Sequence, residues 1–163
     1  METTRWLAPL AGQTIFVVED HAFISLDIKT TLLEEGAVVV SATDQISGLS
    51  AARDDRLTAA VLDVRLGKDS VDPVCAELDR RCVPFLFLTG DSGASVEKWF
   101  PAPTLTKPFD GKALIDGVVK ILVTGRDAVD LMDKTRMDLI IFRADPAGQA
   151  RALCRTIDTQ RER

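Results

Sequence analysis

The sequence predicts an α/β fold, a doubly wound parallel sheet of five strands followed by a C-terminal helical extension. Strand-like apolar runs alternate with helix-like segments from residue 14 to residue 125, the order of βαβ units. The runs are nearly continuous in Val, Ile, Leu, Phe and Ala, as in strands covered on both faces. Four of them end on a polar group: Ile15–Val18 on Glu19-Asp20, Ala59–Leu62 on Asp63, Phe85–Leu88 on Thr89, and Thr104–Thr106 on Lys107-Pro108-Phe109. Ligands of an open parallel sheet bind beyond the carboxyl ends of its strands, so these groups should meet in one crevice.

Each element has a local reason. After the first strand, Ile24, Ile28 and Leu32 recur every fourth residue and Gly36 supplies a stop, predicting a helix over 22–35. Val38–Ala42 is a β-branched strand, and Asp44 caps a helix running to about Asp54. Pro73 opens a helix through Arg81, and Pro84 restarts the chain as a strand. Residues 92–100 are polar and contain Gly93, which predicts only a short, poorly formed helix. Asp110 caps a last helix over Lys112–Thr124. Its apolar residues Leu114, Ile115, Val118, Val119, Ile121, Leu122 and Val123 cover more than half its circumference. One sheet face needs little more than ~100° of arc, so further cover is expected from the tail, a second subunit or a partner.

Residues 126–163 form the extension. Leu139–Phe142 suits helix or strand, while Asp145-Pro146 looks like a cap before a helix with Ala150, Leu153 and Ile157 on one stripe.

Composition excludes several classes. The 163 residues carry a net charge of −5, with 8 basic and 7 acidic side chains (+1) after residue 125 and therefore −6 before it. So acidic a chain argues against direct DNA binding. No run approaches the ~20 apolar residues of a membrane span, and no signal peptide is read at the start. Cys75, Cys82 and Cys154 form no CxxC pair and His21 is the only histidine, which excludes a zinc site. Three unpaired thiols fit a cytoplasmic location.

Glu19, Asp20 and Asp63 would repel in one crevice unless a hard cation neutralised them, and Mg²⁺ takes such oxygen ligands. Asp20 and Asp63 are expected to bind directly, Glu19 through water, with the backbone carbonyl of Arg65 as a further oxygen. A carboxylate beside a metal can accept a phosphoryl group. Lys107 would supply positive charge to the transferred oxygens, and the Thr89 hydroxyl and the backbone N–H groups of Val64 and Gly90 would donate hydrogen bonds. Each residue alone has a plainer reading, as a solvated loop carboxylate, a strand-end threonine or a surface lysine. The ordered set at successive strand ends does not.

At these residues the chain resembles the receiver domain of two-component response regulators, the CheY-like superfamily with a flavodoxin-like sheet. The resemblance covers residues 13–125. It implies phosphorylation of Asp63 by a sensor histidine kinase with Mg²⁺ required, movement of Thr89 toward the phosphoryl group, and a cis Lys107–Pro108 peptide. Such receivers carry Tyr or Phe three residues before the lysine, where this chain has Thr104. Residues 84–90 also resemble a stand-alone, single-domain subgroup with a Phe-x-Thr-Gly-Tyr motif, whose tyrosine is Asp91 here. Trp99 and Phe100 are the large aromatics near enough to replace the missing relay. Arg65 and Asp91 flank the phosphoryl position, where tuning of hydrolysis and plain solvent exposure are equally good readings. His21 is read as an exposed residue opening the first helix.

The expected function is therefore a phosphorylation-switched module, not an enzyme, with a homodimer arm or output surface in the tail and a downstream protein partner. A phosphate sink or phosphorelay intermediate is the alternative. A haloacid-dehalogenase-like phosphatase would want a second Asp where Arg65 stands.

Overall fold

The computed structural model describes residues 8–90, 99, 102–135, 142–144 and 150–152, with side chains described through residue 125. β1 (Thr14–Val18), β2 (Val38–Ala42), β3 (Ala59–Asp63), β6 (Phe85–Thr89) and β7 (Thr104–Thr106) form one parallel sheet in the order β2-β1-β3-β6-β7. Between β3 and β6 lie a small antiparallel pair, β4 (Arg65–Leu66) and β5 (Asp69–Ser70), and helix α3 (Asp72–Arg80). The strand order reverses between β1 and β3, and this is where the crevice opens.

Helices α1 (Ala22–Glu34) and α4 (Gly111–Thr135) cover one face; α2 (Gln45–Ala51) and α3 cover the other. Two cores result. Ile15, Val17, Val61, Leu86 and Leu88 point to Ile28, Leu32, Leu114, Val118 and Ile121. Phe16, Val18, Leu62, Phe85 and Phe87 point to Val74, Cys75 and Leu78. The alternation within each central strand sends successive residues into opposite cores, which is why these strands read as unbroken apolar runs.

The expected caps are present. The Asp44 side chain accepts from the Ser47 N–H at 2.8 Å, the Asp110 side chain accepts from the Ala113 N–H at 2.7 Å, and Pro73 lies in the first turn of α3. Gly36 ends α1 at φ +84°, a backbone conformation that suits glycine.

Four expectations change. Six of the seven apolar residues of α4 pack on its own core, with Ile115 and Val119 half-buried against it and only Val123 exposed. Packing of α4 against α1 as well as the sheet supplies the cover that a one-face estimate lacked. Helix α4 also runs unbroken past residue 125 to Thr135, so the helical extension begins as its continuation. Beyond it, β8 (Phe142–Ala144) pairs antiparallel with β9 (Ala150–Ala152), where a helix through Ala150 was expected. Asp145-Pro146, Leu153 and Ile157 lie outside the described residues. Finally, Cys82 is disulfide-bonded rather than reduced, while Cys75 is buried and outside any disulfide. Pairing follows spatial proximity, which the spacing of three cysteines does not encode. The short helix expected over 92–100 also lies outside the described residues, apart from Trp99.

Among the described residues no helix is long and apolar enough to cross a membrane.

Candidate phosphoryl-acceptor site

Register gathers the acidic groups. Val18 of β1 stands opposite Leu62 of β3, so Glu19 follows on one side and Asp63 on the other at the same level. Asp63 in turn faces Leu88, and Thr89 faces Thr106. The Lys107 N–H donates to the Thr89 carbonyl at 2.7 Å, which extends the β6–β7 ladder by one residue and brings the lysine over the crevice. The Lys107–Pro108 peptide is cis, as the resemblance implied.

The lysine then joins the two buried acids. Its Nζ donates to Glu19 Oε2 at 2.6 Å and to Asp63 Oδ2 at 2.8 Å. Glu19 is fully buried and Asp63 nearly so. Burial raises the pKa of Glu19, outweighing the hydrogen bonds from Lys107 and from the His21 N–H. Burial by itself would lower Lys107, but its bonds to Asp63 and Glu19 prevail and hold its pKa above the ordinary lysine value. The site therefore retains the lysine proton firmly and carries one carboxylate whose charge is costly.

Asp20 completes the cluster from the solvent side. Carboxylate oxygens of Glu19, Asp20 and Asp63 all lie within 4.8 Å of one another. Three carboxylates and one lysine leave a formal charge of −2, which a divalent cation would balance. The donor set, all oxygen and partly open to water, fits Mg²⁺. Asp20 Oδ2 accepts from the Gly67 N–H at 2.8 Å.

Thr89 is buried at the end of β6, with its side chain on the core face shared by Phe85 and Phe87. Gly90 is exposed, and a Cβ built there would meet nothing within 4 Å. The expected role of Val64 changes: its N–H donates to the Leu88 carbonyl at 3.1 Å, because β3 continues its ladder with β6 for one more residue. The N–H that faces Asp63 is that of Arg65, at 3.1 Å from Oδ1. Arg65 itself begins β4 opposite Ser70, with its side chain exposed. His21 is exposed, and its contact with the site is the backbone N–H on Glu19 Oε1 at 3.0 Å.

Sequence reasoning missed Gly67. It sits at φ +61° in the two-residue turn joining Leu66 to Asp69. A Gly-x pair between short apolar and polar flanks is a hairpin signal, and it was the available clue. Thr104 is exposed on the edge strand opposite Phe87. Trp99 stands instead against the ring of Phe85, with centroids 6.2 Å apart at 72°. Asp91 and Phe100 lie outside the described residues.

No protein-family model matches the chain. It is 33% identical over 120 residues to the transcriptional regulatory protein CseB of Streptomyces coelicolor, an alignment covering 69% of this chain and 51% of that protein. The chain thus spans about half the length of the curated relative it matches. Among solved structures it is similar to the receiver domain of a sensor histidine kinase of Pseudomonas aeruginosa, described with a magnesium ion coordinated in its active-site cleft. That similarity has a TM-score of 0.62 at 25% identity and covers 69% of this chain and 99% of the other. The chemotaxis protein CheY4 of Vibrio cholerae shares the fold, with a TM-score of 0.61 at 23% identity over 69% of this chain and 100% of that one. With the ordered site residues and the β2-β1-β3-β6-β7 sheet, these likenesses lead to one conclusion: the chain carries a CheY-like receiver domain of response regulators.

Proposed function

We propose that Asp63 accepts a phosphoryl group from the phosphohistidine of a sensor kinase in a Mg²⁺-dependent step, and that this acceptance switches protein–protein contacts. The observation that carries the reading is Lys107 Nζ held between Glu19 and Asp63 at 2.6 and 2.8 Å. In the transfer, a carboxylate oxygen of Asp63 forms a bond to phosphorus as the histidine nitrogen leaves with its bonding pair. Asp20 and Asp63 would hold the magnesium directly, Glu19 through water, and the Arg65 carbonyl would add an oxygen. Bound magnesium supplies charge neutralisation for the incoming phosphoryl oxygens. Lys107 follows those oxygens with its Nζ proton, and the Thr89 hydroxyl and Gly90 N–H donate to them.

The module acts as an acceptor with self-dephosphorylation rather than as an enzyme with turnover. Its partners are a histidine kinase in the cytoplasm, a second copy of the chain and a downstream protein, without direct DNA binding; kinship to the Phe-x-Thr-Gly-Tyr, stand-alone type belongs to the same proposal. The exposed, short Thr104 in the relay position favours a second reading, a phosphate sink or relay carrier with no dedicated output.

Incubation with acetyl phosphate and Mg²⁺ should add one phosphoryl mass to the chain, and Asp63→Asn should abolish the addition. Light scattering on the same samples separates the readings: a change in assembly supports the switch, and a short-lived adduct with unchanged assembly supports the sink. An adduct that survives in Asp63→Asn would remove the assignment.

A further inference from the structure

The hairpin that follows Asp63 touches the site at its turn and is linked at its far end, through Asp72, to a tryptophan. Arg65 pairs with Ser70 and Leu66 with Asp69, leaving Gly67-Lys68 as the turn. Leu66 is buried in the core beneath α2 and α3, so the hairpin is anchored rather than free at the surface. Gly67, at φ +61°, turns its N–H onto Asp20 Oδ2 at 2.8 Å, across 47 residues of sequence. An L side chain at that φ is strained whatever the space around it. From the other end, the Ser70 carbonyl accepts from Gln45 Nε2 at 2.8 Å, and Ser70 Oγ accepts from the Asp72 N–H at 3.1 Å. Asp72 Oδ1 then accepts from Trp99 Nε1 at 2.9 Å.

We infer that the Arg65–Ser70 hairpin positions the metal-binding carboxylate of Asp20 and carries the state of the site to Trp99, a route separate from the Thr–aromatic relay that Thr104 cannot complete. The inference rests on the phosphoryl-acceptor reading above. Asp20 is the exposed member of the cluster, and its hydrogen bond to Gly67 holds it ready. Partners of a metal ligand set its orientation, and their loss weakens metal binding about 10-fold or more. When Asp20 turns toward a cation, the Gly67 N–H must follow or let go. Because Leu66 is buried and Ser70 is tied to Gln45 and Asp72, that adjustment passes along the hairpin to the amino end of α3. Asp72 and Trp99 sit at that end, and the indole of Trp99 lies edge-on to Phe85. A two-state element biased by a local charge is what a switch requires.

The test uses the full chain with Trp6→Phe, which leaves Trp99 as its one indole among the two tryptophans of the sequence. Emission is followed as Mg²⁺ and then beryllofluoride are added, and ¹⁹F NMR reports bound beryllofluoride independently. Trp99 emission should shift on binding. Asp72→Ala should lose the shift while the ¹⁹F signal of the bound species persists. Gly67→Pro, which removes the N–H and, with its φ locked at about −65°, the turn that presents it, should weaken Mg²⁺ binding about 10-fold. Gly67→Asn keeps the N–H and tolerates positive φ, so it should bind as the wild type does. Unchanged Trp99 emission despite bound beryllofluoride would overturn the inference and leave the acceptor reading standing. So would wild-type Mg²⁺ affinity in Gly67→Pro, or an equal loss in Gly67→Asn. No bound beryllofluoride at saturating Mg²⁺ would overturn the acceptor reading and this inference with it.

Discussion

The crevice has two sides built to different standards. On the side of β1 and β3, Glu19 and Asp63 are buried, and each has its carboxylate held at both oxygens: Glu19 by Lys107 and the His21 N–H, Asp63 by Lys107 and the Arg65 N–H. On the side of β7, three residues form an edge strand, Thr104 and Thr106 are exposed, and Leu105 is half-buried. Buried charge demands defined partners, since an unpaired one costs several kcal/mol; an exposed threonine demands none. The acceptor half is therefore specified by electrostatics, while the readout half is left loose, and the chemistry of acceptance is separable from whatever reports it.

The sharpest way to break that comparison is to remove its central cation. Lys107→Ala leaves Glu19 and Asp63 facing each other with no counter-charge, and loss of one partner of a buried pair costs about 3 kcal/mol. Urea unfolding in EDTA should show a loss of that order, and saturating Mg²⁺ should restore much of it by neutralising the same carboxylates. A Lys107→Ala protein as stable as wild type without metal would mean the acids are already screened by solvent. The converse test is Asp63→Asn, which removes one negative charge from the cluster. Mg²⁺ should raise the melting temperature of the wild type through its preference for the folded site, and this response should largely vanish in Asp63→Asn.

The pH dependence sharpens the same point with a smaller effect. Burial raises Glu19 above 4.5 in the folded chain, so the native state holds this proton more tightly than the unfolded state does. The resulting stability is present below 4.5 and is lost as pH rises through the raised folded value. Metal-free Glu19→Gln lacks that titration and should gain on the wild type over this window, measured as urea midpoints at successive pH values. Mg²⁺ should flatten the difference, because the cation offsets the charge that burial penalises. Lys107 follows the same sign at higher pH: its raised pKa contributes in full up to about 10.5 and is lost as pH rises through the raised folded value.

How much of this was legible in the sequence follows the same division. The sheet and the site were readable because each strand is a run of one character ending in a residue of another, and position along a strand fixes position at the sheet edge. Glu19, Asp20, Asp63, Thr89 and Lys107 needed no knowledge of the helices between them. What depends on a particular partner was not readable. The Val64 N–H meets the Leu88 carbonyl and the Arg65 N–H meets Asp63 because the β3–β6 ladder runs one residue further than Asp63, a matter of register. Gly67 reaches Asp20 only through the turn between β4 and β5. The apolar arc of α4 seemed excessive because its packing on α1 was not counted, and the pairing of β8 with β9 is a contact between a segment that suited helix or strand and one whose pattern predicted a helix.

The mildest perturbation tests whether the two sides are independent. Thr104→Phe places an aromatic ring on the edge strand directly across from Phe87. Exposure at this position and a favourable cross-strand aromatic pair together keep the expected change in stability to about 0.5 kcal/mol in either direction. Labelling by acetyl phosphate should proceed as in the wild type, because the hydrogen bonds that hold the Glu19, Asp63 and Lys107 side chains among the described residues do not involve residue 104. If readout normally fails for want of a ring, the phosphorylated variant should change its assembly where the wild type does not, which light scattering would show. If instead labelling itself slows, the loose edge of β7 takes part in positioning Lys107 through the Thr89 carbonyl, and acceptance and readout are one device rather than two.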